Sequence, residues 1–125
     1  MEKKTATQIF ESLASGIRLD VYRLLVKQGS TGMVAGQIAA DLDLPATNTS
    51  FHLKAMTQAG LLTVEQEGRY QRYRANFTVV RDLIAYLTEE CCAGHPEQCG
   101  VLPPTAVVKV RRNGKAATSK VRLQQ

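Results

Sequence analysis

Apolar residues recur at helical spacing over the first sixty positions and then alternate. Ala6, Ile9, Phe10 and Leu13 mark one face of a helix over residues 5–14. Ser15 is a natural N-cap for a second helix, residues 16–27, because its hydroxyl can accept from an orphan N–H of the first turn. In that helix Ile17, Val21, Leu24 and Leu25 form one face and Leu19, Tyr22 and Val26 another. The pattern predicts a helix buried nearly all round. Gly29-Ser30-Thr31-Gly32 reads as a turn. A short helix over Ala35–Leu42 follows, with Ile38, Ala39 and Leu42 inward. Asp43-Leu44-Pro45 ends it, since proline lacks the N–H that a helix interior needs. The next helix covers residues 46–59 and stops at Gly60, a residue suited to a left-handed cap.

Two short helices across a three-residue break suggest a helix-turn-helix. The second has a narrow inner stripe of Thr49, Leu53 and Met56. Its other faces carry Thr47, Asn48, Ser50, Phe51, His52 and Lys54. Taken alone, this is what any polar helix face looks like. Short hydrogen-bonding groups, a cation and one aromatic are also what reads base edges, phosphates and thymine methyls in a major groove. The segment after Gly60 favours that second reading. Leu62 and Val64 alternate with Thr63 and Glu65, Gly68-Arg69 forms a turn, and Tyr70-Gln71-Arg72-Tyr73-Arg74 alternates again. This is a β-hairpin whose return strand puts Tyr70, Arg72 and Arg74 on one face. A helix-turn-helix followed by a basic hairpin is the winged-helix order. Arg69 at the tip and Arg72 are then the expected phosphate contacts, with a solvated strand face as the plain alternative for each.

The last helix, residues 77–90, carries Phe77, Val79, Val80, Leu83, Ile84, Tyr86 and Leu87. One small domain cannot bury that much. With the Ile9-Phe10-Leu13 face of the first helix, it argues for a second copy of the chain. A two-fold dimer would read an inverted repeat in double-stranded DNA, with half-sites one helical turn or a multiple apart.

Composition narrows the picture. A chain of 125 residues is expected to form one domain with a tail. Its apolar runs are too short to span a bilayer. Met1-Glu2-Lys3-Lys4 leads into a polar, amphipathic stretch rather than an apolar signal region, so the expectation is the reducing cytoplasm. The formal charge of +5 is uneven. Ten basic residues against eleven acidic ones leave −1 up to Gly100, and the last 25 residues carry +6. That tail, with Pro103-Pro104 and Asn113-Gly114, reads as disordered. It can attract phosphate non-specifically or merely solubilise. Deleting residues 101–125 should leave folding and dimerisation intact, and a large fall in melting temperature on truncation would contradict this.

All three cysteines, Cys91, Cys92 and Cys99, fall within nine residues. Adjacent cysteines make a poor disulfide, because the bond demands specific Cβ geometry. Three thiolates make a soft site suited to a thiophilic ion. Cys99 with His95 could instead be read as a nucleophile–base pair, but nothing there supplies an oxyanion hole or an orienting third group. An enzyme is therefore not expected. A metal-binding module without DNA leaves the polar helix and the hairpin unexplained.

The chain resembles the arsenical-repressor (ArsR/SmtB) family of metal-sensing regulators. The matching stretches are Leu13-Ala14-Ser15-Gly16-Ile17-Arg18-Leu19, Ser50-Phe51-His52-Leu53-Lys54-Ala55-Met56, Ala59-Gly60-Leu61-Leu62 and the hairpin Glu67-Gly68-Arg69-Tyr70-Gln71-Arg72-Tyr73-Arg74. The resemblance covers residues 5–92. It implies a mainly α fold with a small β-hairpin wing, that is, a winged helix-turn-helix homodimer whose first and last helices form the interface. It also implies repression of an operon, relieved by a metal or metalloid, with no cofactor needed for folding. The expected organisation is a DNA-binding and dimerisation domain over 1–92, a cysteine-rich sensing segment over 91–100, and the basic tail over 101–125.

Many arsenic sensors of the family carry cysteines in the first helix of the helix-turn-helix, and here Ala35–Leu42 has none. Zinc sensors often pair Asp and His on the last helix, and here Asp82 and Glu89 stand without a His. The resemblance is to a subgroup with a vicinal cysteine pair ending the last helix and a third cysteine beyond. As(III) and Sb(III) prefer three sulfurs in a pyramid, which Cys91, Cys92 and Cys99 can supply. Zinc prefers four ligands, and His95 could be the fourth. Thiol redox sensing is the remaining alternative. The negative potential at a helix C-terminus opposes thiolate formation, so ion binding must itself drive deprotonation.

Overall fold

A computed structural model describes residues 1–95 of the protein. Cys99 and residues 101–125 lie outside the described residues. The elements run α1 (Lys3–Leu13), α2 (Gly16–Gln28), a 3-10 turn (Gly29–Thr31), β1 (Met33–Val34), α3 (Ala35–Leu42), α4 (Ala46–Gln58), β2 (Leu62–Glu67), β3 (Tyr70–Ala75), α5 (Phe77–Leu87) and α6 (Cys91–Gly94). Met1–Val79 forms one compact unit, and a second begins at Val80.

The core of the first unit comes mainly from the predicted stripes, joined by Leu61, which belongs to none of them. Ile9, Val21, Leu25, Ile38, Leu53, Met56 and Leu61 are all fully buried. Thr49 is buried with them, and its hydroxyl is satisfied by donating to the Pro45 carbonyl at 3.0 Å, whereas the buried Ser12 hydroxyl of α1 has no hydrogen-bond partner among the described residues. Two expectations fail here. Leu19 and Val26 on α2 are 45% and 39% exposed, so α2 buries one face rather than nearly all of its surface. On α1, Ile9 belongs to the core and only Phe10 of the supposed outer face is exposed.

The helix ends follow from local chemistry. The Ser15 hydroxyl caps α2 by accepting from the Arg18 N–H. At the end of α3, Asp43 adopts φ 54°, while Asp43 and Leu44 donate to the carbonyls of Ala40 and Ala39. At the end of α4, Gly60 has φ 85°, while Gly60 and Leu61 donate to Thr57 and Met56. Both are Schellman closures, which satisfy the last carbonyls and turn the chain sharply.

The sheet has three antiparallel strands in the order β1-β3-β2. The hairpin register runs from Leu62 opposite Ala75 to Glu67 opposite Tyr70, and Gly68 at φ 61° takes the first turn position. That glycine-first pattern matches a type II′ turn. Strand β1 is an addition to the predicted elements. It pairs Met33 with Tyr73 and Val34 with Arg72.

Gly32 makes that pairing possible. Its backbone lies at φ 64°, ψ −170°, a region open essentially to glycine alone. An added Cβ would sit 2.5 Å from the Tyr73 carbonyl oxygen and 2.7 Å from Arg74 Cγ. Gly32→Ala should therefore destabilise the protein by about 2–4 kcal/mol, combining backbone strain with a clash against a strand. Gly68→Ala meets nothing within 4 Å and carries only the conformational cost. Chemical denaturation of the two variants checks the difference.

From Val80 the second unit holds most of α5, where Leu83 is buried and Leu87 is 57% exposed. The predicted continuous helix over residues 77–90 is instead two. Thr88-Glu89-Glu90 puts two carboxylates at the electronegative end of α5, where they oppose extension. Glu90 turns left-handed at φ 54°, and Cys91 and Cys92 begin a separate four-residue helix, α6. Among the described residues no helix is long and apolar enough to cross a membrane.

Candidate nucleic-acid interface

Helices α3 and α4, joined by Asp43-Leu44-Pro45, form a helix-turn-helix. Burying Thr49, Leu53 and Met56 turns the rest of α4 outward. Thr47, Asn48, Ser50, Phe51 and Lys54 are all exposed, and Phe51 reaches 65%. A large aromatic that far out of the core adds little to core packing.

His52 differs from its neighbours. It is half-buried, and its Nδ1 accepts a hydrogen bond from Arg18 Nε of α2 at 3.1 Å. Partial desolvation, and then the Arg18 charge, hold its pKa below the ordinary histidine value. The Arg18 guanidinium also lies 5.9 Å from the Phe51 ring centre, and the Phe51 and His52 rings meet edge to face at 5.6 Å. Arg18 was not among the residues singled out by sequence pattern. It lies in a stretch that resembles the family, but its contact crosses 34 positions and no spacing rule reports it.

The hairpin sorts its arginines. Arg72 bonds both oxygens of Glu67 at 3.0 Å and donates to the Thr31 carbonyl at 3.2 Å. Arg74 bonds Glu65 at 2.8 Å and the Ser30 carbonyl at 2.7 Å. These diagonal cross-strand pairs brace the root of the wing against the turn that precedes β1. Arg69 at the tip has no hydrogen bond or ion pair within the described residues, and the same is true of Lys54. The structure therefore brings Phe51 and His52 together with Arg18, and leaves Ser50 exposed elsewhere on the surface of α4. It leaves Arg69 and Lys54 available for phosphate and occupies Arg72 internally.

Cys91 and Cys92 stand on α6, in the unit that starts at Val80. His95 follows that helix at the end of the described residues. Cys99, the third predicted ligand, lies outside them.

A helix-turn-helix domain family matches residues 13–65, which hold α2, α3, α4 and the start of the wing. An HTH-type transcriptional regulator of Methanocaldococcus jannaschii is 30% identical over 90 residues, covering 71% of this chain and 99% of that protein. A homodimeric winged helix-turn-helix DNA-binding domain of Mycobacterium bovis, a possible ArsR-family regulator, superposes with a TM-score of 0.57 at 27% identity. That match spans 71% of this chain and 82% of the other. The chain belongs to the ArsR-type helix-turn-helix transcriptional regulators. An ArsR-like regulator from Rhodococcus sp. RHA1 shares the fold at a TM-score of 0.60 and 24% identity, over 67% of this chain and 76% of that one. In the winged helix-turn-helix arrangement α4 holds the place of the second, recognition helix and the β2–β3 hairpin that of the wing. The expectation of a DNA-binding regulator rather than an enzyme holds.

Proposed function

We propose that this regulator is a cytoplasmic, homodimeric repressor of an arsenic-resistance operon. It binds an inverted-repeat operator and leaves it when As(III) or Sb(III) binds the thiolates of Cys91, Cys92 and Cys99. One observation carries the inducer. Every cysteine of the chain lies within one nine-residue stretch, and α3 contains none. Three soft donors and no fourth sulfur fit a three-coordinate metalloid better than a tetrahedral ion. His95 is the one nearby nitrogen that would convert the set to a zinc site.

Dimerisation is supported by Phe10, Phe77 and Leu87, all between 44% and 57% exposed in a single chain. The homodimeric relative supports it as well. The route from sensor to DNA follows the chain. Asn76, immediately before α5, donates through Nδ2 to the Gly60 carbonyl at the end of α4, at 2.9 Å. Its own carbonyl accepts from the Tyr22 hydroxyl at 3.4 Å. A displacement of α5 thus reaches the recognition helix through Asn76. Derepression needs a coupling on the order of 1–3 kcal/mol.

The test is a gel shift of the full chain on an inverted-repeat operator selected in vitro. Arsenite and antimonite should release the DNA. Release by zinc alone, or by peroxide alone, would replace this reading with a zinc-responsive or redox-responsive repressor. The wing makes a separate prediction on the same DNA. Arg69→Ala should weaken binding to every sequence and flatten the log-affinity against log-salt slope by about one unit, the loss of one phosphate contact. An unchanged slope would remove Arg69 from the interface.

A further inference from the structure

We propose that Arg18, on the helix before the helix-turn-helix, is a positioning residue for operator recognition: it holds His52 as a neutral ring whose single N–H, at Nε2, is offered to a hydrogen-bond acceptor on the DNA. The inference rests on the reading that α4 enters the major groove.

Arginine is always a donor, so the Nδ1 that faces Arg18 Nε at 3.1 Å must carry the lone pair. The proton of a neutral imidazole then sits on Nε2. A doubly protonated ring would bring its own N–H against the guanidinium and place two cations side by side. Arg18 from α2 is the charged group acting on the ring. A free histidine interchanges tautomers and rotates, whereas this one is tied through Nδ1 and packed edge to face on Phe51. Arg18 is itself held. Its backbone N–H donates to the Ser15 hydroxyl that caps α2, and its guanidinium lies over Phe51. No carboxylate pairs with it among the described residues. One residue of α2 thus orients two adjacent residues of the recognition helix.

The acceptor is a purine N7, guanine O6 or thymine O4 in the groove, or a phosphate oxygen. All present the same chemistry to an N–H donor. Operators carrying a single 7-deazapurine (no N7), a single 2-aminopurine for guanine (no O6), a single 4-thiothymine for thymine (sulfur in place of O4) or a single methylphosphonate tell the sources apart.

A double-mutant cycle on the full chain tests the proposal, with operator affinity as the readout. Arg18→Met should weaken binding by about three- to tenfold, the range of one lost hydrogen bond. Arg18→Lys, which keeps a donor, should recover most of this. In a His52→Ala background, Arg18→Met should cost less than twofold. Nitrogen NMR of the free protein supplies a readout that depends on neither DNA nor stability. His52 should show one neutral tautomer in the wild type, and in Arg18→Met it should show mixed tautomers and a higher titration midpoint. Equal losses from Arg18→Met with and without His52 would overturn the proposal, since Arg18 would then touch DNA itself. An unaltered His52 spectrum in Arg18→Met would overturn it too. Were α4 not the reading helix, Ser50→Ala, Phe51→Ala and His52→Ala would all leave affinity unchanged, a different pattern of failure.

Discussion

Replacing Cys91, Cys92 and Cys99 together by serine should produce a repressor that binds its operator normally and no longer releases it when arsenite is added. The two halves of this result have different physical origins. In the proposed reading DNA binding depends on α4 and the wing, both within Met1–Val79, whereas Cys91 and Cys92 stand on α6 beyond it. The serine substitutions leave every residue of α4 and the wing unchanged. Release depends on donor softness. A hydroxyl is nearly isosteric with a thiol but is a hard, neutral donor with little affinity for a thiophilic centre. Each single serine variant should also lose the response, because two sulfurs leave the pyramid open. Cys91 and Cys92 should be the most sensitive. All three donors come from one short stretch of one chain, so titration should saturate at one arsenic per subunit. Arsenic quantified on the purified complex checks the stoichiometry. Saturation at one arsenic per dimer, or arsenite release by the triple variant, would sink the intrachain site.

Much of this interface is legible in the sequence because it follows short-range rules. The buried stripe of α4 is Thr49, Leu53 and Met56, as helical spacing requires, and the outward residues follow by subtraction. The Ser15 cap, the left-handed Gly60 and the hairpin turn at Gly68-Arg69 are local choices of the backbone. What escaped depends on contacts between distant segments. Strand β1 is two residues long, too short to alternate, and exists because Gly32 lets it approach β3. Alternation correctly placed Arg72 and Arg74 on one face. It could not reveal that Glu67, Glu65 and the carbonyls of Thr31 and Ser30 occupy their guanidinium groups. Among the described residues the wing therefore has one cation without a partner, Arg69, where composition alone suggests three. The burial of α2 was overestimated for a related reason. Periodicity reports which residues share a face, and whether that face meets a neighbour is a tertiary fact, so Leu19 and Val26 remain exposed.

Leu53→Ala and Phe51→Ala should fail in opposite ways, although the residues lie two positions apart on one helix. Successive residues turn by about 100°, which places the two side chains on nearly opposite faces of α4. Leu53 is fully buried, as are Met56 and Ile38. Truncating it removes transfer energy and leaves a cavity, a combined cost of about 2–5 kcal/mol. Small domains are stable by only about 5–15 kcal/mol. Leu53→Ala should thus lower the melting temperature sharply and reduce DNA binding only as far as it reduces the folded fraction. Phe51 is 65% exposed and supports nothing in the core, so Phe51→Ala should melt like the wild type. Its loss should appear in affinity, together with that of Ser50→Ala, at about 1–3 kcal/mol for each base contact removed. Melting curves and operator titrations of the three variants separate the two roles. If Phe51→Ala lowered stability and spared DNA affinity, the exposed face of α4 would not be the reading surface. The orientation of the recognition helix assigned here would then be wrong.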